Sequence, residues 1–588
     1  MITAQPPNSR RFRFATARTL PRAAIFSRAI ALALATALIP AAPLAAEGLA
    51  GAYLAARQAS FASDYANAAI YYTAALVRDP SNPVLLENSV LAQIGLGQVD
   101  RAIPIARRIQ QAGIKSQFAD LVMLADALHR KDYDQIAADF KAGLSAGPLV
   151  DGLVQAWAEL GQGRMTEALA AFDTVGKANG LQAYALYHKA LAMASAGDFD
   201  GADKILSGDA AGPLSLNRRG VVARLQILSQ LERNADAVAL IDASFDVELD
   251  PGMLDLRARL VAGEPLAFDA ARDAAEGEAE VFLTLASALN GDGDVELTLI
   301  YARIAQFLRP ENAATILFCA DLLAAQKQYD LANQTYAQIP TDDPFFIPGE
   351  MGRADALYRA GKTDAALEVM AQLAKSHSGS STIFVNLGDM LRRQDRFAEA
   401  ATEYDRAIAL LGEPKAAHWV IYYTRGIAQE RLGNMDKAEA DMRLALKLSP
   451  DQPQVLNYLG YAFVDAGRNL DEALQMIQRA VAARPDDGYI IDSLAWALYR
   501  MGRTTEAVEP MERAAELEAV DPIVNDHLGD VYWAVGRTLE AQFQWRRALS
   551  FKPEPDEEAR IKRKLEVGLD VVLKEEGAKP PSVTADGN

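Results

Sequence analysis

One short segment of the chain has the residue pattern of a serine hydrolase nucleophile. Gly143, Ser145 and Gly147 form a Gly-x-Ser-x-Gly sequence. In hydrolases this pattern lies on a sharp turn between a strand and a helix, where the serine hydroxyl attacks an acyl group. Here the segment follows Phe140 at the end of a helical pattern. We therefore predict a helix stop at this position and no nucleophile.

A second segment alternates oxygen ligands as a calcium loop does. Asn290, Asp292 and Asp294 have the spacing of the first three ligands. The glycine required at the sixth position is Val295, and the twelfth residue is Tyr301 and not an acid. This pattern predicts a turn between two helices.

The histidines are scattered singly along the chain, at His129, His188, His377, His418 and His527. His129 and His527 each have an aspartate three residues further on, Asp132 and Asp530. Such a pair is half a metal site at most, and a contact on a helix surface explains it equally well. Neither a phosphate-binding loop nor a His-Glu-x-x-His motif is present in the sequence. We therefore predict a protein that is not an enzyme and that has no cofactor and no metal.

Composition narrows the class of partner. The chain has 588 residues, 50% of them apolar and 23% charged, which is typical of a folded soluble protein. Its formal net charge is −19, so non-specific binding to nucleic acid is not expected. Cys319 is the only cysteine, which excludes an intramolecular disulfide and a multi-cysteine zinc site.

The amino terminus reads as a cleavable signal peptide over residues 1–46. It carries six arginines and no acid, then an apolar run over 29–39 and a stretch of small residues over 41–46, which favours cleavage after Ala46 and a periplasmic location. A twin-arginine signal at Arg10 and Arg11, an organellar presequence and an uncleaved membrane anchor are the alternatives. No cysteine follows the apolar run, so no lipid anchor is expected.

The position of a functional residue depends on the helix that carries it. The predicted helices follow a pattern that repeats along the chain. A small residue in one helix is followed by an alanine in the next, with a bulky residue four positions later. The anchor alanines recur with a period of about 34 residues, at Ala400, Ala438, Ala473, Ala507 and Ala541. This pattern resembles the tetratricopeptide repeat (TPR) family, which implies an all-α solenoid of stacked antiparallel helix pairs.

Looser units extend the repeat towards the amino terminus, for example Ala68 with Tyr72 and Ala168 with Phe172. One segment that is rich in proline, glycine and acidic residues interrupts the repeat pattern. The predicted organisation is a signal peptide over 1–46, an amino-terminal array over 47–240, an irregular acidic junction over 241–280, a carboxyl-terminal array over 281–553, a capping helix over 554–576 and a disordered tail over 577–588.

The candidate site is a surface of the first helices. Positions 2, 5, 9, 12 and 13 of a helix share one face, and in TPR proteins this face lines the concave groove. The residues placed there are Asp389, Arg392, Arg393, Tyr423, Asn457, Tyr461, Tyr489, Asp492, Trp496, Tyr499, Arg500, Asp526, Asp530 and Trp533. Aromatic, amide and arginine side chains suit peptide recognition. Packing of the same aromatics between repeats is the alternative.

A narrower resemblance covers residues 456–549. These repeats are similar to the carboxyl-terminal arrays of bacterial cell-envelope TPR proteins, a group that includes adaptors of carboxyl-terminal processing proteases. The resemblance implies a non-catalytic periplasmic scaffold or adaptor that binds protein partners. The chain lacks the lipid-attachment cysteine of those adaptors. An assembly factor for outer-membrane or surface-polysaccharide machinery is the alternative function.

Overall fold

A computed structural model describes residues 49–210, 212, 214–245, 251–291 and 294–578. Over these ranges the secondary structure is helical, and no strand occurs. The described residues fall into two compact units, 49–376 and 377–578. The predicted all-α fold of repeated helix pairs is confirmed.

The amino-terminal unit consists of helices α1 to α19. Their bounds are α1 Leu49–Phe61, α2 Tyr65–Arg78, α3 Pro83–Gly95, α4 Val99–Gln111, α5 Gln117–His129, α6 Tyr133–Ala142, α7 Pro148–Gly161, α8 Met165–Gly176, α9 Gln182–Ser195, α10 Phe199–Leu206, α11 Arg218–Gln230, α12 Asn234–Ser244, α13 Pro251–Val261, α14 Ala274–Leu289, α15 Val295–Leu308, α16 Ala313–Ala325, α17 Tyr329–Tyr336, α18 Phe346–Arg359 and α19 Thr363–Ser376.

The carboxyl-terminal unit consists of helices α20 to α31 and one short 3-10 turn at Ala416–His418. Their bounds are α20 Ser381–Arg393, α21 Phe397–Leu411, α22 Trp419–Arg431, α23 Met435–Leu448, α24 Pro453–Asp465, α25 Leu470–Ala483, α26 Gly488–Arg500, α27 Thr504–Leu517, α28 Pro522–Ala534, α29 Thr538–Ser550, α30 Pro555–Val567 and α31 Leu569–Glu575. We call α20, α22, α24, α26 and α28 the first helices of their pairs and the helix after each of them the second helix.

A residue in the left-handed conformation follows the first helices. Gly433, Gly467, Gly502 and Gly536 have φ between 63° and 81°, a region that glycine adopts without steric cost. The same position in the amino-terminal unit is Lys327, with φ 63°. The turn geometry is therefore a constant of the repeat even where its residue type is not.

Close packing within a pair depends on a glycine and a large residue sixteen positions later. A Cβ at Gly388 would lie 2.8 Å from the ring of Tyr404, and a Cβ at Gly529 would lie 2.4 Å from the ring of Trp545. Both rings are completely buried. Each glycine thus lets the second helix bring its aromatic side chain directly onto the first.

First helices of neighbouring pairs also contact one another, α20 with α22, α24 with α26 and α26 with α28. Their shared side therefore forms a continuous layer along the carboxyl-terminal unit. Helix α30 begins at Pro555, close to one repeat after the start of α28 at Pro522, and packs on α29. It takes the place of one further first helix, and α31 is its shortened partner.

The amino-terminal unit contains a helical hairpin within its array. Helix α14 packs against α5, α7 and α9, and α15 packs against α3 and α5. The unit also returns to its own beginning, because the Tyr65 hydroxyl donates to Gln326 Oε1 at 2.6 Å and Gln328 Nε2 donates to the Ala62 carbonyl at 3.1 Å.

Unit boundaries differ from those expected from composition. The division falls between Ser376 and His377, whereas the sequence predicts an irregular junction at 241–280. That segment contains helix α13 and the start of α14, and only 262–273 is a long non-helical stretch among its described residues.

Both ends of the chain lie outside the described residues. The predicted signal peptide over 1–46 is among them, and so is the predicted tail from residue 579 onward. None of the helices in the described ranges combines the length and the apolar character that crossing a bilayer requires.

Candidate functional site

The predicted groove residues lie in register on first helices. Tyr423, Asn457, Asp492 and Asp526 follow one another at intervals of one repeat on α22, α24, α26 and α28. One turn further along are Tyr461, Trp496 and Asp530. We call the surface that these seven residues define the inner face.

Helix α24 carries the most open part of the inner face. Asn457 and Tyr461 are half-buried there, one turn apart. The side-chain carbonyl oxygens of Gln454 and Asn457 are buried and have no hydrogen-bond partner among the described residues. Buried amide groups are normally paired, and these two oxygens are the unpaired acceptors of α24 among the described residues.

Aromatic side chains flank this pair of amides. The ring of Tyr423 meets the ring of Tyr458 edge to face at 5.9 Å, and Trp419 lies 6.0 Å beyond Tyr423. The Tyr458 hydroxyl donates to Glu430 Oε2 at 3.2 Å. These contacts fix the tyrosines as a wall beside Asn457, since ring packing and the hydrogen bond both restrict their rotamers.

Helix α26 contributes a stack of rings. Trp496 lies between His527 at 4.0 Å and Tyr499 at 4.8 Å, in nearly parallel orientation to both. His527 Nδ1 contacts the Asp492 carboxylate at 2.9 Å, which assigns the proton of that nitrogen to the histidine. Burial raises the pKa of Tyr499, whose side chain is only 4% exposed. Tyr499 is therefore packed between helices, whereas Trp496 is partly exposed, and a role of Trp496 in binding stays a prediction.

At the outer positions of α26, the side chains are tied to neighbouring pairs. The Tyr489 hydroxyl donates to Asp521 Oδ2 at 3.3 Å. Arg500 is exposed, and its guanidinium donates to the Asp465 carbonyl at 3.4 Å. These two residues border the inner face.

Helix α30 covers the inner face at α28. Lys564 Nζ lies 2.8 Å from Asp526 and 2.6 Å from Asp530, and all three side chains are at most 2% exposed. Trp545 Nε1 also donates to Asp530, at 3.0 Å. Trp533 Nε1 donates to Asp570 of α31. The two aspartates are therefore occupied by the chain itself.

At α20 the predicted arginines differ in exposure. Arg392 donates to the Tyr404 hydroxyl at 3.3 Å and forms an ion pair with Asp389 at 3.5 Å. Arg393 is exposed. Of the two, Arg393 has its charge towards solvent.

The repeats match a known family of protein repeats. A family model described as tetratricopeptide repeat matches residues 153–213, 351–413 and 423–488. The chain contains tetratricopeptide repeats. TPR units of this kind are generally non-catalytic scaffolds for protein–protein interaction.

A curated relative carries the same repeats. The TPR repeat-containing protein PA4667 of Pseudomonas aeruginosa is 29% identical over 213 residues, which cover 35% of this chain and 34% of that protein. The match therefore spans about a third of the relative's length.

Two solved TPR structures resemble most of the chain at low identity. The Cut9–Hcn1 hetero-tetramer of the APC/C is 13% identical with a TM-score of 0.37, covering 88% of this chain and 96% of that chain. Yeast Tom70 is 14% identical with a TM-score of 0.33, covering 90% and 99%.

The repeat register places three further residues at positions equivalent to the predicted groove residues. Glu430 and Arg431 lie two repeats before Tyr499 and Arg500 and occupy the same positions on α22. Gln454 is likewise one TPR repeat before Tyr489. Applying the period to every first helix would have found all three.

The segment with the Gly-x-Ser-x-Gly pattern, residues 143–147, connects two helices of the array. Helix α6 ends at Ala142, and Gly143 follows with φ 94°. The Ser145 hydroxyl donates to Asp151 Oδ2 at 2.5 Å, and Asp151 also accepts from the Ala146 amide. The predicted helix stop is confirmed.

The segment that resembles a calcium loop and the His129–Asp132 pair also have structural roles. Helix α14 ends at Leu289, and Asp294 caps α15. His129 stacks on Phe307, and Asp132 caps α6. In the part of the chain that the structure describes, no three His, Cys, Asp or Glu side chains lie close enough together to hold a metal ion.

Proposed function

We propose that the protein is a non-catalytic scaffold or adaptor that binds protein partners through the inner face of its carboxyl-terminal unit. The observation that carries this proposal is the unpartnered amide pair of Gln454 and Asn457 on α24. Beside it stand partly exposed aromatic residues on three successive first helices, Tyr423, Tyr461 and Trp496.

The chemistry of this surface fits a peptide segment. Aromatic rings supply flat apolar contact, and side-chain amides both donate to and accept from a peptide backbone. The covered aspartates at α28 leave the working surface on α22, α24 and α26. A segment bound there would pair with the oxygens of Gln454 and Asn457 after their side chains turn towards it, and these oxygens would lose no existing hydrogen bond.

A second function, assembly of outer-membrane or surface-polysaccharide machinery by the amino-terminal array, is less well supported. The inner side of that array faces α14 and α15 of the same chain. We therefore place the partner-binding surface in the carboxyl-terminal unit. A protease or another envelope protein is the partner class that the resemblance of residues 456–549 suggests.

The location proposed for this activity is the periplasm, on the basis of the arginine-rich and apolar order of residues 1–46. Mass measurement of the protein purified from envelope extracts tests it. A chain beginning near Glu47 supports the proposal, and a chain that retains residues 1–46 contradicts cleavage.

Binding is tested with the full chain as bait in envelope extracts, with and without the double substitution Asn457→Ala and Tyr461→Ala. We expect recovery of the specific partner to fall about tenfold in the double variant. Phe543→Ala is the matched control, because Phe543 is 59% exposed on the second helix α29 and away from the inner face. Equal recovery by the wild type and the double variant would contradict the proposed surface.

A further inference from the structure

Helices α14 and α15 occupy the side of the amino-terminal array that α3, α5, α7 and α9 share. The main contacts of α14 within the array are with α5, α7 and α9, each the first helix of its pair, and α15 packs on α3, α4 and α5. Gly277 lies against the ring of Trp157, where a Cβ would come within 2.4 Å. The backbone of α14 therefore packs directly against a side chain of the first helix α7.

One charged residue of the hairpin is fully compensated. Glu280 is 4% exposed and accepts from the Tyr187 hydroxyl of α9 at 2.9 Å. The guanidinium of Arg219 on α11 forms an ion pair with the same carboxylate. Two helices of the array thus hold α14 through one side chain.

A second charged residue, half a turn away, is not compensated. Glu278 is 1% exposed, and neither of its carboxylate oxygens has a hydrogen-bond partner among the described residues. The charged and titratable groups that face it are Asp273, Lys131 and Tyr133, and Lys131 lies 3.6 Å from Asp273. A buried carboxylate without partners destabilises the seated state when it is ionised.

Helix α15 adds a buried cation held by neutral groups. Arg303 is 3% exposed, and its guanidinium donates to the Gly95 carbonyl at 3.3 Å, to Gln306 Oε1 at 2.6 Å and to Thr335 Oγ1 at 3.4 Å. Burying a charge that has no ionised partner costs free energy even when its donors are hydrogen-bonded. Each helix of the hairpin therefore carries a buried ionisable side chain, Glu278 on α14 and Arg303 on α15, whose charged form is more stable in water.

We propose that the α14–α15 hairpin is a releasable internal ligand of the amino-terminal array, held by Glu280 and opposed by Glu278, and seated more firmly when Glu278 is protonated. Release exposes the inner side of the amino-terminal array, which the seated hairpin keeps closed. This inference concerns a different unit from the proposed partner surface and does not depend on it.

The direction of the pH effect follows from linkage. Burial raises the pKa of Glu278 well above its usual range. The seated state therefore binds one more proton than the released state between the two pKa values. Across this window the equilibrium constant for release rises about tenfold for each pH unit.

The neighbouring histidines do not account for this effect. Burial lowers the pKa of His188 to about 3, so it stays neutral between pH 5.5 and 7.5. His129 faces α15 through its stack on Phe307. Because His129 is present in both the wild type and a Glu278→Gln variant, the difference between the two isolates Glu278.

The test is hydrogen exchange of the full chain, read by mass spectrometry at pH 5.5, 6.5 and 7.5 after correction for the intrinsic exchange rate. We expect peptides of α14 and α15 to lose protection as the pH rises in the wild type, by up to about tenfold per pH unit. Glu278→Gln should remove this dependence and slow exchange at pH 7.5. Glu311→Gln, an exposed site just after α15, should behave as the wild type.

Two outcomes would overturn the proposal. One is a pH dependence in Glu278→Gln that equals that of the wild type. The other is common exchange of α14 and α15 with α5, α7 and α9 at every pH, because a hairpin that opens only with the whole array is part of its core and not a releasable ligand.

Discussion

At the scale of single residues, the carboxyl-terminal unit depends on charges placed where water is excluded. Lys564 is completely buried between Asp526 and Asp530, and Arg560 lies 3.6 Å from Asp530 on the same helix as Lys564. Such a cluster adds specificity more than stability, but removing one member leaves an uncompensated buried charge. The cluster therefore determines whether α30 stays in the position of a first helix.

Replacing Lys564 with Met should destabilise the end of the carboxyl-terminal unit by about 3 kcal/mol, because two buried carboxylates lose their main partner. Hydrogen exchange of α28 and α30 measures this loss. Lys562→Met is the control two residues away, since Lys562 is 58% exposed and pairs with Glu558 on the surface. Equal protection in the two variants would show that the buried cluster does not hold the helix.

A second prediction concerns Glu430, which lies beside the inner face. Burial raises its pKa to about 7, against the opposing effects of Arg431 and the hydrogen bond from Tyr458. The folded state thus prefers the protonated carboxyl, and its stability falls as pH rises from about 4.5 towards 7. Glu430→Gln should be more stable than the wild type at pH 8 and equal to it at pH 4. Urea unfolding at both pH values measures the difference, and identical midpoints at pH 8 would refute it.

At the scale of elements, the repeat is maintained by turn geometry more than by residue type. Lys327 and Gly361 hold equivalent positions one repeat apart, with φ of 63° and 78°. Only the glycine adopts this conformation without cost. The two repeats that contain them therefore carry different amounts of backbone strain at the same turn.

Exchanging the residue types tests this point. Lys327→Gly should stabilise the amino-terminal unit by about 0.5 to 1 kcal/mol, and Gly361→Ala should destabilise it by about 1 kcal/mol. Neither change alters packing, because Lys327 is exposed and a Cβ at Gly361 meets nothing within 4 Å. Urea unfolding followed by circular dichroism measures both, and shifts of the same sign would contradict the explanation.

The elements also show why part of the site could be predicted from sequence. Gly388 with Tyr404 and Gly529 with Trp545 obey a local rule, a fixed separation along the chain, that sets which face each first helix turns inward. The register of Tyr423 and Asn457 follows from the same rule. That these residues bind a partner stays a prediction.

The remaining features depend on contacts that no local pattern contains. From the sequence, Asp526 and Asp530 look like exposed acidic residues of a groove. In the structure they are buried, because Lys564 of α30 binds both carboxylates. Glu280 and Tyr187 are 93 residues apart, and Arg303 and Gly95 are 208 residues apart. The repeat period describes neighbours along the array, so it cannot show that α14 and α15 lie against helices several units earlier.

At the scale of the whole molecule, each compact unit has its own apolar core. One core joins buried residues from Tyr65 to Ala356, and another joins residues from Tyr422 to Leu569. Solenoid units of this kind fold through contacts among their own repeats. We therefore expect limited proteolysis between 376 and 381 to release a folded fragment that begins near His377.

That fragment should keep the helical circular dichroism signal of α20 to α31 and should bind the partner recovered by the full chain with the same affinity. The proposed surface lies entirely on α22, α24 and α26, which supports this expectation. Loss of binding in a fragment that remains folded would place part of the binding surface outside residues 377–578.

The hydrogen bonds that join Tyr65 to Gln326 and Ala62 to Gln328 have a consequence for synthesis. Tyr65 leaves the ribosome 261 residues before the group it contacts. At ordinary elongation rates this interval lasts about 13 to 50 s. During this time the Tyr65 side chain, 5% exposed in the folded unit, lacks part of its cover, next to Phe61, which stays exposed throughout. The earliest helices of the amino-terminal unit are therefore among the last to complete their contacts, and a nascent chain needs protection there first.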